Sequence, residues 1–434
     1  MRYGTAHLAR SLCVVLTCRS LACCSDPGWL RTFEEYYLSD VSHIITSITN
    51  ALDGNASRRF GWVEVSYLER WWRDQSSDMR AKFTRLVANG QLELLMGGWV
   101  SSDEATSNYM QVVNQMTEGH RWLQEHFGSL GRVSRPRVGW QIDVFGLSKV
   151  YPALFSQMCF DANAAWRISE PEMRDYMPLH ELEFVWRGSE SIGPASELLM
   201  LLLPWGYEAP KEFLWENNNA AAVRLTGDIE VKNVRNRPHC LPACLPACLL
   251  CVSHSLSRCS LSLSLSLSLS LAQAARMLVN NLRDRANSYN TKQLLFPWGH
   301  DFRFKDAVTM FSNMDRIINE VNSNIAQYGV KLRYATPVEY FDQLNRLNVA
   351  FPTKNKDFFP YHAGPVNWWT GYYTSRPAFK KMLRDADHIQ RVAEVREHRE
   401  SISIVRRSLG HSPQCIAIVI GILWRWMIGD ESAM

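Results

Sequence analysis

The sequence lacks an excess of charge of either sign. Its 434 residues contain 47 Lys and Arg against 43 Asp and Glu, a formal net charge of +4. Proteins that bind nucleic acid usually concentrate positive charge on one face or in one segment, whereas these charges are dispersed along the chain. The charge pattern therefore argues against a nucleic-acid partner.

No clear membrane span is present. The apolar stretch Cys415–Trp424 near the carboxyl end is shorter than the ~20 residues that a transmembrane helix needs. Residues 1–24 weakly resemble a signal peptide, but Arg19 interrupts their short apolar stretch. We interpret residues 1–24 as a leader or as misjoined sequence.

The long body of the chain has almost no cysteine, although the sequence contains 11 in total. Cys159 stands alone there, and the other cysteines lie near the two ends or within one short segment. Cysteine usage therefore predicts no disulfide framework across the fold and does not indicate the redox compartment.

Residues 238–273 do not resemble ordinary coding sequence. CLPACLPA at Cys240–Ala247 has the period that a repeated TGCC unit would encode, and the Ser-Leu alternation at Ser260–Leu271 is what a repeated CT dinucleotide would encode. We interpret the segment as a low-complexity insertion from an unspliced intron. Two alternatives are a strand over the Ser-Leu run and a metal site that uses the clustered cysteines, although zinc sites usually use CxxC pairs. The four cysteines of that alternative are Cys240, Cys244, Cys248 and Cys251.

What remains alternates between strand-like and helix-like segments. Strands are predicted at Phe60–Tyr67, Leu92–Met96, Val138–Ile142, Leu294–Phe296 and Leu332–Ala335, and helices at Leu68–Asn89, Asn108–Phe127, Asp306–Tyr328 and Thr336–Asn345. This order predicts an α/β fold with a mostly parallel sheet, open or closed into a barrel, whose chemistry lies at the carboxyl ends of the strands. Acidic residues follow three predicted strands there, namely Asp103 and Glu104, Asp143, and Asp301.

Three short runs join an aspartate to glycine and aromatic residues: SDPGW at Ser25–Trp29, GWQIDVFG at Gly139–Gly146 and PWGHDFRF at Pro297–Phe304. Glycine permits close backbone approach, aromatic rings suit the faces of sugars, and carboxylates supply an acid, a base, a nucleophile or a metal ligand. A single loop aspartate is more often a turn residue or helix cap, but the glycine and aromatic neighbours that these three share favour a functional site.

These and further runs resemble the family 38 glycoside hydrolases, the class II α-mannosidases of lysosome and Golgi, with the lysosomal type closer. The likeness extends from about Asp26 to Lys380 apart from the insertion. The matching runs are Asp26–Tyr37, Arg58–Trp72, Asn89–Ala105, Arg135–Gly146, Leu182–Ser189, Gly299–Ala307 and Asp357–Ala378.

The resemblance implies a seven-stranded parallel β/α barrel over residues 25–380, interrupted at 238–273, which removes α-linked mannose from N-glycans with retention of configuration. Residues 381–434 would begin a helical bundle and then run into a misjoined tail, without the family's later β-rich domains. Zinc in this family is held by two Asp and two His, and one of those Asp residues is also the nucleophile.

By motif, the resemblance assigns the nucleophile and one zinc ligand to Asp143, a second ligand to Asp26 and the general acid/base to Asp301. Trp29 would form the floor beneath the mannose, and Phe145 would lie beside the nucleophile. Arg167 and Tyr207 would make polar contacts to substrate and nucleophile. A retaining enzyme needs its two carboxyl groups ~5–5.5 Å apart, and the acid must hold a proton until it donates it.

Two zinc ligands of the family pattern are missing. Cys24 stands where the first ligand motif has histidine, and no QHHDG-like motif follows the TSRP run; His398 and His411 do not fit it. We therefore expect the chain as written to be inactive or unstable. Two interpretations of His300 stay open: it tunes the proton of Asp301, or it is a solvated loop histidine.

Two other functions remain open from the sequence. One is a metal-free pseudoenzyme that binds mannose through Trp29, Phe145 and Asp143; the other is an unrelated α/β hydrolase or deacetylase-like barrel. The resemblance places the protein in the endomembrane lumen, in lysosome or Golgi, and the sequon Asn55-Ala56-Ser57 is consistent with that.

Overall fold

The computed structural model describes residues 12–18, 27–213, 215, 224–225 and 268–409. Strands and helices alternate through most of this part, as predicted for an α/β protein. The strands are β1 Leu12–Cys18, β2 Phe60–Trp62, β3 Leu92–Leu94, β4 Val138–Gln141, β5 Ala162–Ala165, β6 Glu183–Arg187, β7 Glu197–Leu202, β8 Arg224–Leu225, β9 Ser268–Leu269, β10 Gln293–Trp298, β11 Val330–Tyr334 and β12 Thr353–Lys354. The helices are α1 Phe33–Tyr36, α2 Ser42–Asp53, α3 Val65–Asp74, α4 Ser77–Ala88, α5 Tyr109–Phe127, α6 Val150–Gln157, α7 Glu170–Leu179, α8 Leu271–Ala286, α9 Ala307–Ser323, α10 Ile325–Tyr328, α11 Pro337–Leu347 and α12 Pro377–Leu409.

Most neighbouring strands are parallel, as predicted. A three-stranded sheet has the order β10-β1-β11, a five-stranded sheet has the order β12-β6-β7-β5-β4, and two pairs are formed by β2 with β3 and by β8 with β9. Parallel strands place their carboxyl ends at one edge, so the loops after β4, β5 and β7 emerge side by side.

One pair departs from the all-parallel prediction. Strands β6 and β7 are antiparallel, with Val185 opposite Leu199, because only a short connection with a 3₁₀ turn at Gly193–Ser196 separates them. A parallel pair needs a crossover of about a dozen residues or more. The sheets are therefore mixed, and closure into a seven-stranded barrel stays a prediction.

Two segments near the predicted boundaries take part in regular structure. Strand β1, within the predicted leader, lies between β10 and β11 and is parallel to both. Helix α8 begins at Leu271, inside the predicted insertion, and Ser270 caps it by accepting a hydrogen bond from the backbone N–H of Gln273. The four clustered cysteines lie outside the described residues, and the interpretation of both segments stays a prediction.

Two predicted elements are divided differently in the structure. The β-rich run Phe60–Tyr67 forms a strand only as far as Trp62, and α3 begins at Val65. The predicted helix Leu68–Asn89 is split after Asp74, since Gln75 is extended and Ser76 caps α4 by accepting from the N–H of Met79.

Several tryptophan side chains pack the interior. Trp140 on β4, Trp186 on β6 and Trp298 on β10 are fully buried, as is Trp71 on α3. Each such ring buries a large apolar area, so these strands are fixed firmly beneath the loops that follow them. Within the described ranges, no helix combines the length and the apolar character needed to cross a membrane.

Candidate active site

Asp143 lies two residues beyond β4, and Arg167 lies two residues beyond β5. Because the strands pair in parallel with Gln141 opposite Ala165, both side chains emerge at the same edge of the sheet. Nε of Arg167 donates a hydrogen bond to Oδ1 of Asp143 in a half-buried ion pair. The structure thus brings together two predicted site residues that are separated in sequence.

Arg167 is enclosed by aromatic rings. Its guanidinium carbon lies 4.2 Å from the ring centre of Trp166, 5.1 Å from Trp369, 5.4 Å from Phe145 and 5.5 Å from Tyr361. Burial acts to lower the pKa of Arg167, but Asp143 and the hydrogen bond to the Tyr361 hydroxyl outweigh it and raise that pKa. The guanidinium is a fixed cation beside the predicted nucleophile.

Asp301 is held by the other predicted polar residue. The hydroxyl of Tyr207, which is buried, donates a hydrogen bond of 3.2 Å to Oδ1 of Asp301. The neighbouring residues pair as well, since Nε2 of His300 lies 3.2 Å from Oε1 of Glu208. The loop after β7 and the loop after β10 are thereby joined at two successive positions, and the role of His300 stays a prediction.

The two predicted catalytic carboxylates belong to one contact network. The ring of Trp166 lies against Arg167 on one side and meets the ring of Tyr207 edge-on at 5.5 Å on the other. Asp143 is therefore linked to Asp301 through Arg167, Trp166 and Tyr207. The network places the ends of β4, β5, β7 and β10 in a single region.

The backbone after Asp301 adopts a costly conformation. Phe302 has a φ of 53° and Phe304 a φ of 68°, values that bulky residues rarely adopt. The surroundings enforce these angles, because Phe302 stacks on Tyr36 at 4.7 Å and Phe304 is fully buried. Strained backbone that packing maintains in this way is frequent at functional sites.

The segment with Trp29 reaches the same loop. The N–H of Leu30 donates a hydrogen bond of 3.3 Å to the hydroxyl of Tyr36, which stacks on Phe302 beside Asp301. Trp29 itself is 67% exposed, as a surface that receives a ligand must be. The predicted metal ligand Asp26 and its neighbour Cys24 lie outside the described residues.

Zinc does not fit the residues that the structure describes. In those ranges, no group of three or more His, Cys, Asp or Glu side chains is arranged to hold a metal ion. Asp143, the one predicted ligand among them, has its carboxylate engaged by Arg167. A structural or catalytic zinc usually needs at least three protein ligands.

Several residues at the site carried no individual prediction. Tyr361, Trp369 and Tyr372 surround Phe145, and the Tyr372 hydroxyl donates a hydrogen bond of 3.0 Å to the Phe145 carbonyl. Their signal was the aromatic density of the run Asp357–Ala378. That run resembles the family as a whole, but the sequence alone did not show which aromatic ring contacts which residue.

Comparison with known proteins identifies related sequences. Residues 23–364 match the family described as Glycosyl hydrolases family 38 N-terminal domain. The chain is 33% identical over 370 residues to the bovine lysosomal alpha-mannosidase, covering 83% of the chain and 33% of that protein. It is 30% identical over 383 residues to the mouse alpha-mannosidase 2x, covering 86% and 31%.

The fold is also similar to that of a solved structure. An alpha-mannosidase from Enterococcus faecalis V583 superposes with a TM-score of 0.53 at 14% identity, covering 80% of the chain and 31% of the other protein. The chain therefore spans about a third of the length of the relatives that it matches.

Proposed function

Because the chain belongs to family 38 of the glycosyl hydrolases, we propose that the network around Asp143 and Asp301 binds α-linked mannose and is built for its hydrolysis with retention of configuration. The observation that carries the proposal is the linkage of the two carboxylates through Arg167, Trp166 and Tyr207. Membership of this family argues against the unrelated hydrolase or deacetylase-like alternative.

In the proposed reaction, Asp143 attacks the anomeric carbon while Asp301 donates its proton to the leaving glycosidic oxygen. Asp301 then takes a proton from the water that releases mannose from the covalent intermediate, and Asp143 leaves as the free carboxylate. Arg167 orients Asp143 through their ion pair. Tyr207 orients Asp301, and Phe145 and Trp29 offer ring surfaces to the sugar.

The expected zinc ion would be held by Asp26 and Asp143 and would grip sugar hydroxyls, but these two residues fall short of a complete site. We propose that turnover by this chain is severely reduced for that reason. A metal-free mannose-binding pseudoenzyme is the second candidate, favoured by the engagement of the Asp143 carboxylate by Arg167.

The substrates that we propose are N-glycans or oligomannose, cleaved at terminal α-linked mannose. We propose the endomembrane lumen as the location, in lysosome or Golgi. The names of the bovine and mouse relatives support these assignments, and the lysosomal name favours the lysosome.

Binding of methyl α-mannoside and hydrolysis of an aryl α-mannoside test the proposal together. We expect binding, and slow hydrolysis whose first product by ¹H NMR is the α-anomer. Asp143→Asn should abolish hydrolysis. Asp301→Asn should slow hydrolysis most for aryl mannosides with poor leaving groups. Asp175→Asn, at an exposed position, should change neither binding nor hydrolysis. Binding with no cleavage at all would favour the pseudoenzyme, and a chain that binds no mannoside would refute both.

A further inference from the structure

Glu104 is a buried carboxylate that the reaction above does not use. It follows β3 in the run GGWVSSDEA, and its residue is 8% exposed. Both of its oxygens accept hydrogen bonds: Oε1 accepts from Nε2 of Gln141, and Oε2 accepts from the backbone N–H of Ser148 at 2.5 Å. A carboxylate removed from water is costly unless its oxygens are satisfied in this way.

These two donors bracket the loop that carries the proposed nucleophile. Gln141 is the last residue of β4, and Ser148 ends the loop just before α6, so residues 142–148, with Asp143 and Phe145, lie between them. We name residues 142–148 the nucleophile loop. A single side chain thereby holds both ends of this loop.

The Gln141 amide bonds to a neighbour on each side. Nδ2 of Asn163, a fully buried residue on β5, donates a hydrogen bond of 2.6 Å to Oε1 of Gln141. Nε2 of Gln141 must then face Glu104. A continuous line of hydrogen bonds therefore runs from Asn163 through Gln141 and Glu104 to the Ser148 backbone, inside the sheet edge where Asp143 emerges.

The middle of the loop is tied separately to the aromatic residues around Arg167. The N–H of Gly146 donates to the Arg167 carbonyl at 2.9 Å, and Leu147 exchanges two backbone hydrogen bonds with Phe358. Asp357 also holds the carboxyl end of the loop, since its Oδ1 accepts from the Ser148 hydroxyl at 3.3 Å and from the Lys149 N–H at 2.7 Å. Glu104 differs from Asp357 in that it bonds to residues at both ends of the loop. Burial raises the pKa of Glu104 well above its ordinary value, while the Ser148 N–H opposes that shift.

We propose that Glu104 is a positioning residue that holds the nucleophile loop in the conformation able to bind mannose. Glu104 acts through Gln141 and Ser148 and does not itself touch the sugar. This role rests on the proposed function of Asp143.

An exchange of acid and amide between two positions tests the proposal. Glu104→Gln presents one acceptor oxygen to two donors, so one hydrogen bond is lost and two N–H groups face each other. In Glu104→Gln/Gln141→Glu, the carboxylate at position 141 accepts from Asn163 and from the amide at position 104, whose oxygen accepts from Ser148. All three hydrogen bonds are restored without any change in composition.

Two measurements are made on the full chain: hydrogen exchange of the backbone amides of the nucleophile loop, which the loss of either hydrogen bond should speed, and the affinity for methyl α-mannoside. We expect Glu104→Gln to speed the exchange and weaken the affinity, each by roughly tenfold, as the loss of one hydrogen bond predicts, and the double variant to recover both. Glu183→Gln changes another fully buried carboxylate, which is bonded to Tyr340, and it is the control that should leave both properties unchanged.

Unchanged exchange throughout the nucleophile loop in Glu104→Gln, or a folded double variant that recovers neither property, would overturn the proposal. If the wild-type chain binds the mannoside and Glu104→Gln binds it equally well, only the role of Glu104 fails. If the wild-type chain binds no mannoside, both the proposed function and the role of Glu104 are refuted.

Discussion

Asp143 is paired with Arg167 at the edge where β4 and β5 end, and the same guanidinium lies 4.2 Å from the ring centre of Trp166. Arg167 thus forms an ion pair with the predicted nucleophile and links it to the aromatic residues around the site. The pairing occurs because parallel neighbours in register deliver residues 143 and 167 together.

Removal of the Arg167 charge should destabilise the fold. Arg167→Met leaves a half-buried carboxylate without its cation, and we expect a loss of about 3 kcal/mol in the free energy of unfolding by urea denaturation. Arg121→Met, which breaks an exposed helical pair with Glu118, should change that free energy by less than about 0.5 kcal/mol. Equal losses in both variants would contradict the role assigned to Arg167.

Glycine at position 146 is required for two separate reasons. Gly146 has a φ of 96°, and a Cβ there would overlap the ring of Phe359. We expect Gly146→Ala to lower the unfolding free energy by about 2 kcal/mol or more, since strain and overpacking add.

Gly131 is the matched control, because it has a φ of 67° and its Cβ would meet nothing within 4 Å. Gly131→Ala should cost roughly 1–3 kcal/mol from backbone strain alone, and less than Gly146→Ala, which adds the overlap with Phe359. Thermal and urea unfolding of both variants check the difference, and a smaller loss for Gly146→Ala would show that the loop does not pack as described.

Stability should depend on pH through Glu183. This fully buried residue accepts a hydrogen bond of 2.8 Å from the Tyr340 hydroxyl, and burial raises its pKa from 4.5 to about 7. The folded state therefore holds the proton more tightly than the unfolded state. The resulting stabilisation is complete below about pH 4.5 and is lost as the pH rises through 7, by about 3 kcal/mol in total.

Glu183→Gln removes this titration. Urea unfolding between pH 4.5 and 8 should show a decline in wild-type stability that is smaller by about 3 kcal/mol in the variant. Parallel curves for the two proteins would mean that Glu183 ionises normally in the folded chain.

Zinc content should respond to the residue at position 24. The family resemblance predicts that the chain retains only Asp26 and Asp143 of four ligand positions, so we expect well under one zinc per chain after dialysis. Cys24→His restores a third ligand and should raise the zinc content, whereas Cys23→His, one residue away, should not. A wild-type chain that keeps one zinc through dialysis would contradict the predicted deficit.

The sequence predicted the elements of the site better than their contacts. Asp143 and Asp301 were correctly placed just beyond strands, because strand-like runs ending in acidic residues are visible locally. The antiparallel pairing of β6 with β7 was missed, since hydrophobic pattern does not give strand direction. The strand predicted to continue to Tyr67 was shortened because tertiary packing outweighs local β propensity.

Long-range partners could not be deduced from the sequence. The enclosure of Arg167 by Tyr361 and Trp369 joins residues almost two hundred positions apart, as the Tyr361 contact shows. Glu104 was noticed only as an acidic residue after a strand, and its double contact depends on the path of the nucleophile loop. The catalytic roles of Asp143 and Asp301, and the substrate roles of Trp29, Phe145, Arg167 and Tyr207, stay predictions.

A crystal structure of the chain with methyl α-mannoside bound tests the central claim most directly. We predict one mannose that contacts both Asp143 and Asp301, with their carboxyl groups ~5–5.5 Å apart on either side of the glycosidic bond. A sugar bound elsewhere, or carboxyl groups too far apart to reach the same bond, would contradict the account.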